Sequence, residues 1–270
     1  MTNYHSDKWI MEQVQRHFKE AKKMYPQEQI VGIFYQGSGN YGLDTISSDV
    51  DTKLIITPSF HNIAFNSKPV STTHILDNNE HLDAKDARLY IQTFRKQNLN
   101  FLEILYTPYF IINPLYEEEW GKLVDKREAI CRMNPVRAVA AMKGVALEKY
   151  HALKHPYPSK LAVLDKFGYD PKQLHHLLRV EDFIDRYINE EEYATCLKPI
   201  NPKYLLEIKS GILPLEEAEE KAAKAIGNIN RMVEDFRSYT EEREDKSIVN
   251  FLECIQYNIM RTSVEQEFYV

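Results

Sequence analysis

A glycine-rich segment between two apolar runs constrains this chain more than any other feature of its sequence. Residues 30–35 (Ile-Val-Gly-Ile-Phe-Tyr) have the composition of a buried strand, and residues 54–56 (Leu-Ile-Ile) have that of a second one. Between them lie the turn Gly37-Ser38-Gly39 and the acidic residues Asp49 and Asp51. Two predicted strands thus bracket a glycine-rich turn and an Asp-x-Asp pair.

The two carboxylates indicate a cation site next to an anion site. Residues two apart on a strand point to the same face, so we expect Asp49 and Asp51 to project together. Their mutual repulsion is relieved by a divalent cation, and Mg²⁺ is usually shared between one or two carboxylates and substrate phosphates. The Gly37-Ser38-Gly39 turn lets backbone N–H groups approach an anion, and a helix starting beyond the turn favours negative charge. The segment therefore predicts phosphates beside a metal.

The order of these features resembles the nucleotidyltransferase superfamily typified by DNA polymerase beta. In that superfamily a strand, Gly-Ser and a short helix precede an Asp-x-Asp that opens the next strand. The segment is most similar to bacterial and phage predicted nucleotidyltransferases that carry Gly-Ser-x-x-Tyr-Gly-Leu-x-Thr-x-x-Ser-Asp-x-Asp. Every position of that string is filled here, by Gly37, Ser38, Tyr41, Gly42, Leu43, Thr45, Ser48, Asp49 and Asp51.

Other interpretations of the Asp-x-Asp pair fit the sequence less well. Haloacid-dehalogenase-type phosphatases carry such a pair after an apolar strand, whereas here Ser47 and Ser48 precede the pair and apolar residues follow it. The same polarity argues against the Asp-x-Asp of sugar-nucleotide glycosyltransferases. A polar β-turn accounts for a bare dipeptide motif, but it does not explain the whole string.

The resemblance implies two Mg²⁺ ions, with Mn²⁺ as a substitute, and a third carboxylate on a strand next to the Asp-x-Asp strand. Asp83 and Asp86 are the two candidates for that carboxylate. Asp86 immediately precedes a helical pattern and suits its N-cap, whereas Asp83 lies in the preceding extended segment. We therefore predict Asp49, Asp51 and Asp83 as metal ligands. Lys85 shares a predicted strand face with Asp83, where it would contact phosphate or neutralise the carboxylates.

Further nucleotide-binding residues are predicted outside the acidic pair. By resemblance, Gly37 and Ser38 hold the β- and γ-phosphates. Lys172, His176 and Arg179 share one face of a predicted helix, and relatives carry a similar Tyr-Asp-x-Lys-x-x-x-His-x-x-Arg string. This basic face suits a triphosphate, although a solvated surface is the alternative. The remaining candidates are Tyr41, Lys85, Asp86 and Glu103, of which Glu103 lies in a segment resembling Asn-Pro-Asn-x-x-Glu-x-Leu with Leu99 in place of proline.

Composition and charge exclude several classes of protein. The 270 residues are 43% hydrophobic and 27% charged, as in globular proteins, and no apolar run approaches a membrane span. The N-terminal residues lack a signal peptide's apolar core, so we expect a cytoplasmic protein. The net charge of −6 argues against indiscriminate nucleic-acid binding. Residues 122–179, however, hold 12 Lys and Arg against 5 Asp and Glu, where an anionic substrate would be steered.

The pattern along the chain predicts an α+β protein of two domains. A helix is expected over residues 6–24, with Ser6 or Asp7 as its N-cap, and a loop over residues 59–71. Beyond Pro114 the apolar spacing is helical almost throughout. We therefore predict a small mixed-sheet catalytic domain of the polymerase-beta type over residues 1–114 and an α-helical substrate-binding domain over residues 115–270.

The predicted activity is transfer of a nucleoside monophosphate from an NTP to an acceptor hydroxyl, with release of pyrophosphate. An RNA end, a protein and a small molecule all remain open as the acceptor, because no motif chooses among them. The alternative is a regulatory module of the same fold that binds nucleotide without turnover.

The three cysteines are isolated and lack the spacing of metal ligands.

Overall fold

The structure is a computed structural model that describes residues 4–269. These residues divide into two compact units. The first comprises the described residues up to Met133 together with those from Glu244 onward, and the second is Asn134–Arg243. This division differs from the predicted boundary after residue 114, because the chain beyond Pro114 first contributes helices to the sheet-containing unit and its last helix returns there.

The first unit combines a mixed sheet with seven α-helices in the described part of the chain. The strands are β1 (Ile30–Gln36), β2 (Asp51–Ile56), β3 (Ser71–Ile75), β4 (His81–Asp86) and β5 (Phe110–Ile112). The helices are α1 (Asp7–Met24), α2 (Phe60–Ala64), α3 (Ala87–Arg95), α4 (Leu99–Leu102), α5 (Glu117–Asp125), α6 (Arg127–Cys131) and, at the end of the chain, α13 (Lys246–Tyr269). Short 3-10 turns cover Gln27–Gln29, Ser38–Tyr41, Glu103–Leu105 and Pro114–Tyr116.

The strand order is β3-β4-β2-β1-β5, with β2 at the centre. β2 runs parallel to β4, and all other neighbouring pairs are antiparallel. The amino ends of β2 and β4 therefore lie at the same end of the sheet as the carboxyl end of β1. The glycine-rich turn, which leaves β1 at Gln36, is thereby brought beside Asp51 and His81, the first residues of β2 and β4.

Helices cover both faces of this sheet, which explains the nearly continuous burial of β1 and β2. On one face α1 packs its apolar residues, including Ile10 and Val14, against strand residues such as Leu54 and Leu82. Its N-cap is Ser6, whose hydroxyl accepts the Trp9 N–H, as predicted. On the other face α3, α5 and α13 contribute apolar side chains. The Trp120 ring of α5, for example, lies 4.2 Å from the Phe34 ring of β1.

Within residues 134–243 the described chain forms only helices, as the sequence predicts for this part. They are α7 (Pro135–Ala152), α8 (Leu161–Phe167), α9 (Pro171–Ile188), α10 (Tyr193–Leu197), α11 (Pro202–Lys209) and α12 (Leu215–Tyr239), with a 3-10 turn at Pro158–Lys160. α9 is central to this unit and contacts α7, α10, α11 and α12. In the described residues, no helix has the length and apolar character needed to cross a membrane.

Three elements of secondary structure were not predicted from the sequence. The predicted loop over residues 59–71 contains α2 and leads into β3, and the three-residue strand β5 follows α4. β3 is an edge strand whose side chains are mostly exposed, so it lacks the apolar alternation by which strands are predicted.

Candidate active site

The glycine-rich turn is shaped by the tyrosine that precedes it. The Tyr35 hydroxyl lies beneath the turn and accepts the Gly39 N–H at 3.1 Å. A Cβ at Gly37 or Gly39 would come within 2.8 Å of that hydroxyl, so both positions require glycine. The Asn40 N–H donates to the Gly37 carbonyl. Two backbone N–H groups that could have faced a phosphate are therefore used inside the turn.

A hydrogen bond joins the turn to the segment that carries the acidic pair. The Ser38 hydroxyl donates to the Ser48 hydroxyl at 3.2 Å, and Ser48 in turn accepts the Thr45 N–H at 2.9 Å. Asp49 follows immediately. The turn and the carboxylates, which are ten or more residues apart in sequence, thus lie beside each other, as the resemblance implies.

Asp49 and Asp51 differ in their surroundings, contrary to the expectation that they project from one strand. β2 begins only at Asp51, so Asp49 lies in the loop before it and is exposed. Asp51 is half-buried, and its Oδ1 accepts two hydrogen bonds from His81, one from the backbone N–H at 2.8 Å and one from Nδ1 at 3.1 Å. The two-residue periodicity of a strand therefore does not apply to Asp49.

Asp83 lies on β4, on the same face of the sheet as Asp51, but it has a different partner. Register pairs Asp83 with Lys53 of β2, and the Lys53 ammonium lies 2.5 Å from Asp83 Oδ2. Lys53 also lies over the Phe101 ring, 4.3 Å from its centroid. The residue directly beside Asp51 is His81. The predicted grouping of Asp49, Asp51 and Asp83 is thus not assembled in the structure.

We expect Asp83→Asn to destabilise the metal-free protein by about 2 kcal/mol, because it leaves the buried Lys53 ammonium without its carboxylate. Equilibrium urea unfolding in EDTA measures this change. A metal ligand held in place only by a cation would behave oppositely, since its removal relieves repulsion among carboxylates. Increased stability of Asp83→Asn would therefore contradict the structural ion pair. The double variant Lys53→Met/Asp83→Leu is the control and should recover part of the loss.

Asp86 is the N-cap of α3, as predicted. Its Oδ1 accepts the Arg88 N–H at 2.9 Å, and the Arg88 side chain donates to both carboxylate oxygens. Asp86 is buried, and the side-chain hydrogen bond between Arg88 and Asp86 raises the pKa of Arg88. Asp86 thus has a structural partner for each oxygen.

Lys85 shares a strand face with Asp83, as predicted, and donates to Ser71 at 3.0 Å.

The two remaining candidates of the first unit are both buried. Tyr41 lies in the 3-10 turn after Ser38, and Glu103 begins the 3-10 turn after α4. Their burial suits a structural role, and a functional role for either residue stays a prediction.

Three residues missed by the sequence analysis fix the backbone around Asp51 from the α1 side of the sheet. The buried carboxylate of Glu80 binds the Arg16 guanidinium, accepts the His17 Nε2–H at 2.7 Å and accepts the Val50 N–H at 3.3 Å. Burial lowers the pKa of His17, so its neutral Nδ1 accepts the Thr52 hydroxyl at 2.8 Å. No motif marks these residues, because their proximity depends on which strands and helices pack together.

In the second unit, α9 presents Lys172, His176 and Arg179 at the predicted helical spacing. Lys172 is exposed, His176 half-buried and Arg179 buried. Burial lowers the pKa of His176 well below its ordinary value, and the Arg179 charge acts in the same direction. Burial therefore favours the neutral form of His176 in the ligand-free protein. Nucleotide binding by these residues stays a prediction.

A cavity of about 530 Å³ lies on another side of α9, between that helix, α11 and α12. It is lined by Leu178, Glu181, Asp182, Asp185, Pro199, Asn201, Tyr204, Leu205, Asn228, Arg231 and Met232. Three carboxylates against one guanidinium make it unsuitable for a triphosphate. It contains none of Lys172, His176 and Arg179, so it is not the predicted phosphate site.

The donor set around Asp51 suits one hard cation better than two. Carboxylate oxygens are the ligands that Mg²⁺ prefers, and the exposed Asp49 and the free Oδ2 side of Asp51 can supply them, with phosphate oxygens and water completing the shell. Over residues 4–269, however, no three His, Cys, Asp or Glu side chains are grouped so that they could hold a metal ion as they stand. The second predicted Mg²⁺ would compete with the Lys53 ammonium for the Asp83 carboxylate.

No family model and no curated protein matches the chain. Among solved structures, a nucleotidyltransferase-like protein from Exiguobacterium sibiricum is similar, with 13% sequence identity, over 93% of this chain and 80% of that one, at a TM-score of 0.29. At this TM-score the likeness carries no argument about fold or function.

Proposed function

We propose that this protein is a metal-dependent nucleotidyltransferase that moves a nucleoside monophosphate from an NTP to an acceptor hydroxyl. The observation that carries the proposal is the hydrogen bond from Ser38 to Ser48, which places the glycine-rich turn beside Asp49 and Asp51. The turn and the carboxylate pair follow the order and spacing of the nucleotidyltransferase string, and a hydroxyl beside two carboxylates suits a triphosphate bound together with a cation.

In this proposal the chain's own residues bind and orient the donor. Asp49 and Asp51 hold the cation through carboxylate oxygens, while the Ser38 hydroxyl and the turn after β1 bind phosphate oxygens. Mg²⁺, when bound, neutralises charge on the triphosphate and polarises the acceptor hydroxyl. Because the Gly39 and Asn40 N–H groups are used inside the turn, further phosphate contacts must come from elsewhere. Phosphate binding by Lys172, His176 and Arg179 of α9 is a separate part of the proposal.

A second candidate function is a regulatory module that binds nucleotide without turnover. The ion pair between Lys53 and Asp83 favours it, because this pair occupies the residue predicted as the third metal ligand. The intact acidic pair favours transfer, since nucleotide binding alone would not require both carboxylates. The two functions make opposite predictions for product formation.

Incubation with α-labelled NTPs separates these functions. The purified protein is mixed with each NTP, Mg²⁺ and a cell lysate, and the label is then fractionated by size. We expect label in an RNA, protein or small-molecule fraction, which also identifies the acceptor class, and no transfer in EDTA. Nucleotide binding without label transfer would support the regulatory module instead. Absence of both binding and transfer for all four NTPs would overturn both functions.

A further inference from the structure

Asp51 has a dedicated positioning residue that no motif of the sequence marks. We propose that His81 fixes the Asp51 carboxylate by holding Oδ1 and leaves Oδ2 for a divalent cation, an inference that rests on the proposed function. The two donors on Oδ1 are the His81 backbone N–H at 2.8 Å and Nδ1–H at 3.1 Å. A carboxylate held by one oxygen in this way presents the other in a defined direction.

The sheet brings these two residues together. β2 and β4 are parallel, and Thr52 is paired with Leu82, so the preceding residues Asp51 and His81 are neighbours on the same face. The Asp51 side chain is 36% exposed and that of His81 46% exposed. A cation and a triphosphate can therefore reach the carboxylate from solvent without displacing the sheet.

The residues on either side of Asp51 are anchored independently of His81. Glu80 accepts the Val50 N–H at 3.3 Å, and His17 Nδ1 lies 2.8 Å from the Thr52 hydroxyl. With the Val50 N–H and the Thr52 hydroxyl bound and Thr52 paired with Leu82 in the sheet, the main freedom left to Asp51 is rotation of its side chain. His81 restricts that rotation, which lowers the ordering cost of binding a cation.

The ring nitrogens of His81 have different roles in this arrangement. Nδ1 donates to the Asp51 carboxylate, so Nε2 lies on the far side of the ring from Oδ1. Asparagine can place an amide N–H close to the position of Nδ1, whereas glutamine places it close to that of Nε2. The two amides therefore distinguish positioning through Nδ1 from any function of Nε2.

The experiment measures Mn²⁺ affinity of the full-length protein by electron paramagnetic resonance at pH 7.5, with and without a non-hydrolysable NTP. We expect His81→Ala and His81→Gln to weaken Mn²⁺ binding about tenfold, as is usual when a residue supporting a metal ligand is lost. His81→Asn should stay within about twofold of wild type. His61→Ala, which alters an exposed histidine of α2 in the same unit, is the matched control and should change nothing. Thermal unfolding of each variant without metal verifies the fold.

The outcomes separate this inference from the proposed function. If wild type binds Mn²⁺ and all three His81 variants bind it equally well, the positioning role is wrong while the proposed function stands. A reversed ranking, with His81→Gln retaining affinity and His81→Asn losing it, assigns the effect to Nε2 and also overturns the inference. If wild type binds no Mn²⁺ even with the triphosphate, both the inference and the proposed function fail.

Discussion

Asp51→Asn is expected to lower the rate of nucleotidyl transfer at least about a thousandfold while leaving the fold intact. The amide keeps the shape of the side chain but removes the negative charge on which the cation and the developing transition state depend. Its carbonyl oxygen can still accept from the His81 N–H, so the start of β2 should keep its place beside β4. The measurement is label transfer at saturating Mg²⁺, with circular dichroism as the check on folding.

Asp77→Asn is the matched control for this prediction. Asp77 is an exposed carboxylate in the turn between β3 and β4 of the same unit, so its replacement removes the same charge without altering a proposed cation ligand. Transfer by this variant should equal that of wild type. Near wild-type turnover of Asp51→Asn, or unchanged turnover in EDTA, would contradict the metal-dependent mechanism.

The sequence predicts local structure in this protein better than it predicts neighbours. The span of α1, its Ser6 cap, the two strands around the glycine-rich turn and the Asp86 cap depend on local patterns, and the structure has each of them. The edge strand β3 lacks such a pattern because most of its side chains face solvent. Its prediction required knowing that β4 was available as a partner.

The candidate site shows the same limit more sharply. The resemblance predicts a third carboxylate on the strand next to the Asp-x-Asp strand, and the extended segment favours Asp83 over Asp86. Asp83 does lie on the neighbouring strand β4, but strand register places His81 directly beside Asp51 and pairs Asp83 with Lys53. A shift of one residue along β4 would turn these side chains to the other face, so register decides the site's composition, and no local pattern specifies it. The Glu80 and His17 contacts were missed for the same reason.

The stability of the second unit is expected to depend on the protonation state of the buried His175. His175 of α9 donates from Nδ1 to the Leu205 carbonyl at 2.8 Å. Burial lowers its pKa from 6.5 to about 4, with the nearby Lys209, Arg179 and Lys172 charges acting in the same direction. The contribution of neutral His175 is thus fully present above about pH 6.5. Below about pH 6.5, His175 binds a proton in the unfolded chain but stays neutral in the folded protein. The free energy of unfolding therefore falls as the pH drops towards 4.

His175→Asn tests this dependence, because the asparagine amide can also donate to the Leu205 carbonyl but does not titrate. A shift of this size corresponds to about 3 kcal/mol of unfolding free energy. Between pH 7.5 and 4 we therefore expect wild type to lose roughly 2–3 kcal/mol more stability than His175→Asn. Urea unfolding of the full chain, followed by circular dichroism at 222 nm, measures both, since the two tryptophans lie outside residues 134–243. His151→Asn, at an exposed histidine of α7, should retain the wild-type dependence. Equal losses for wild type and His175→Asn would show that another group controls the acid lability of this unit.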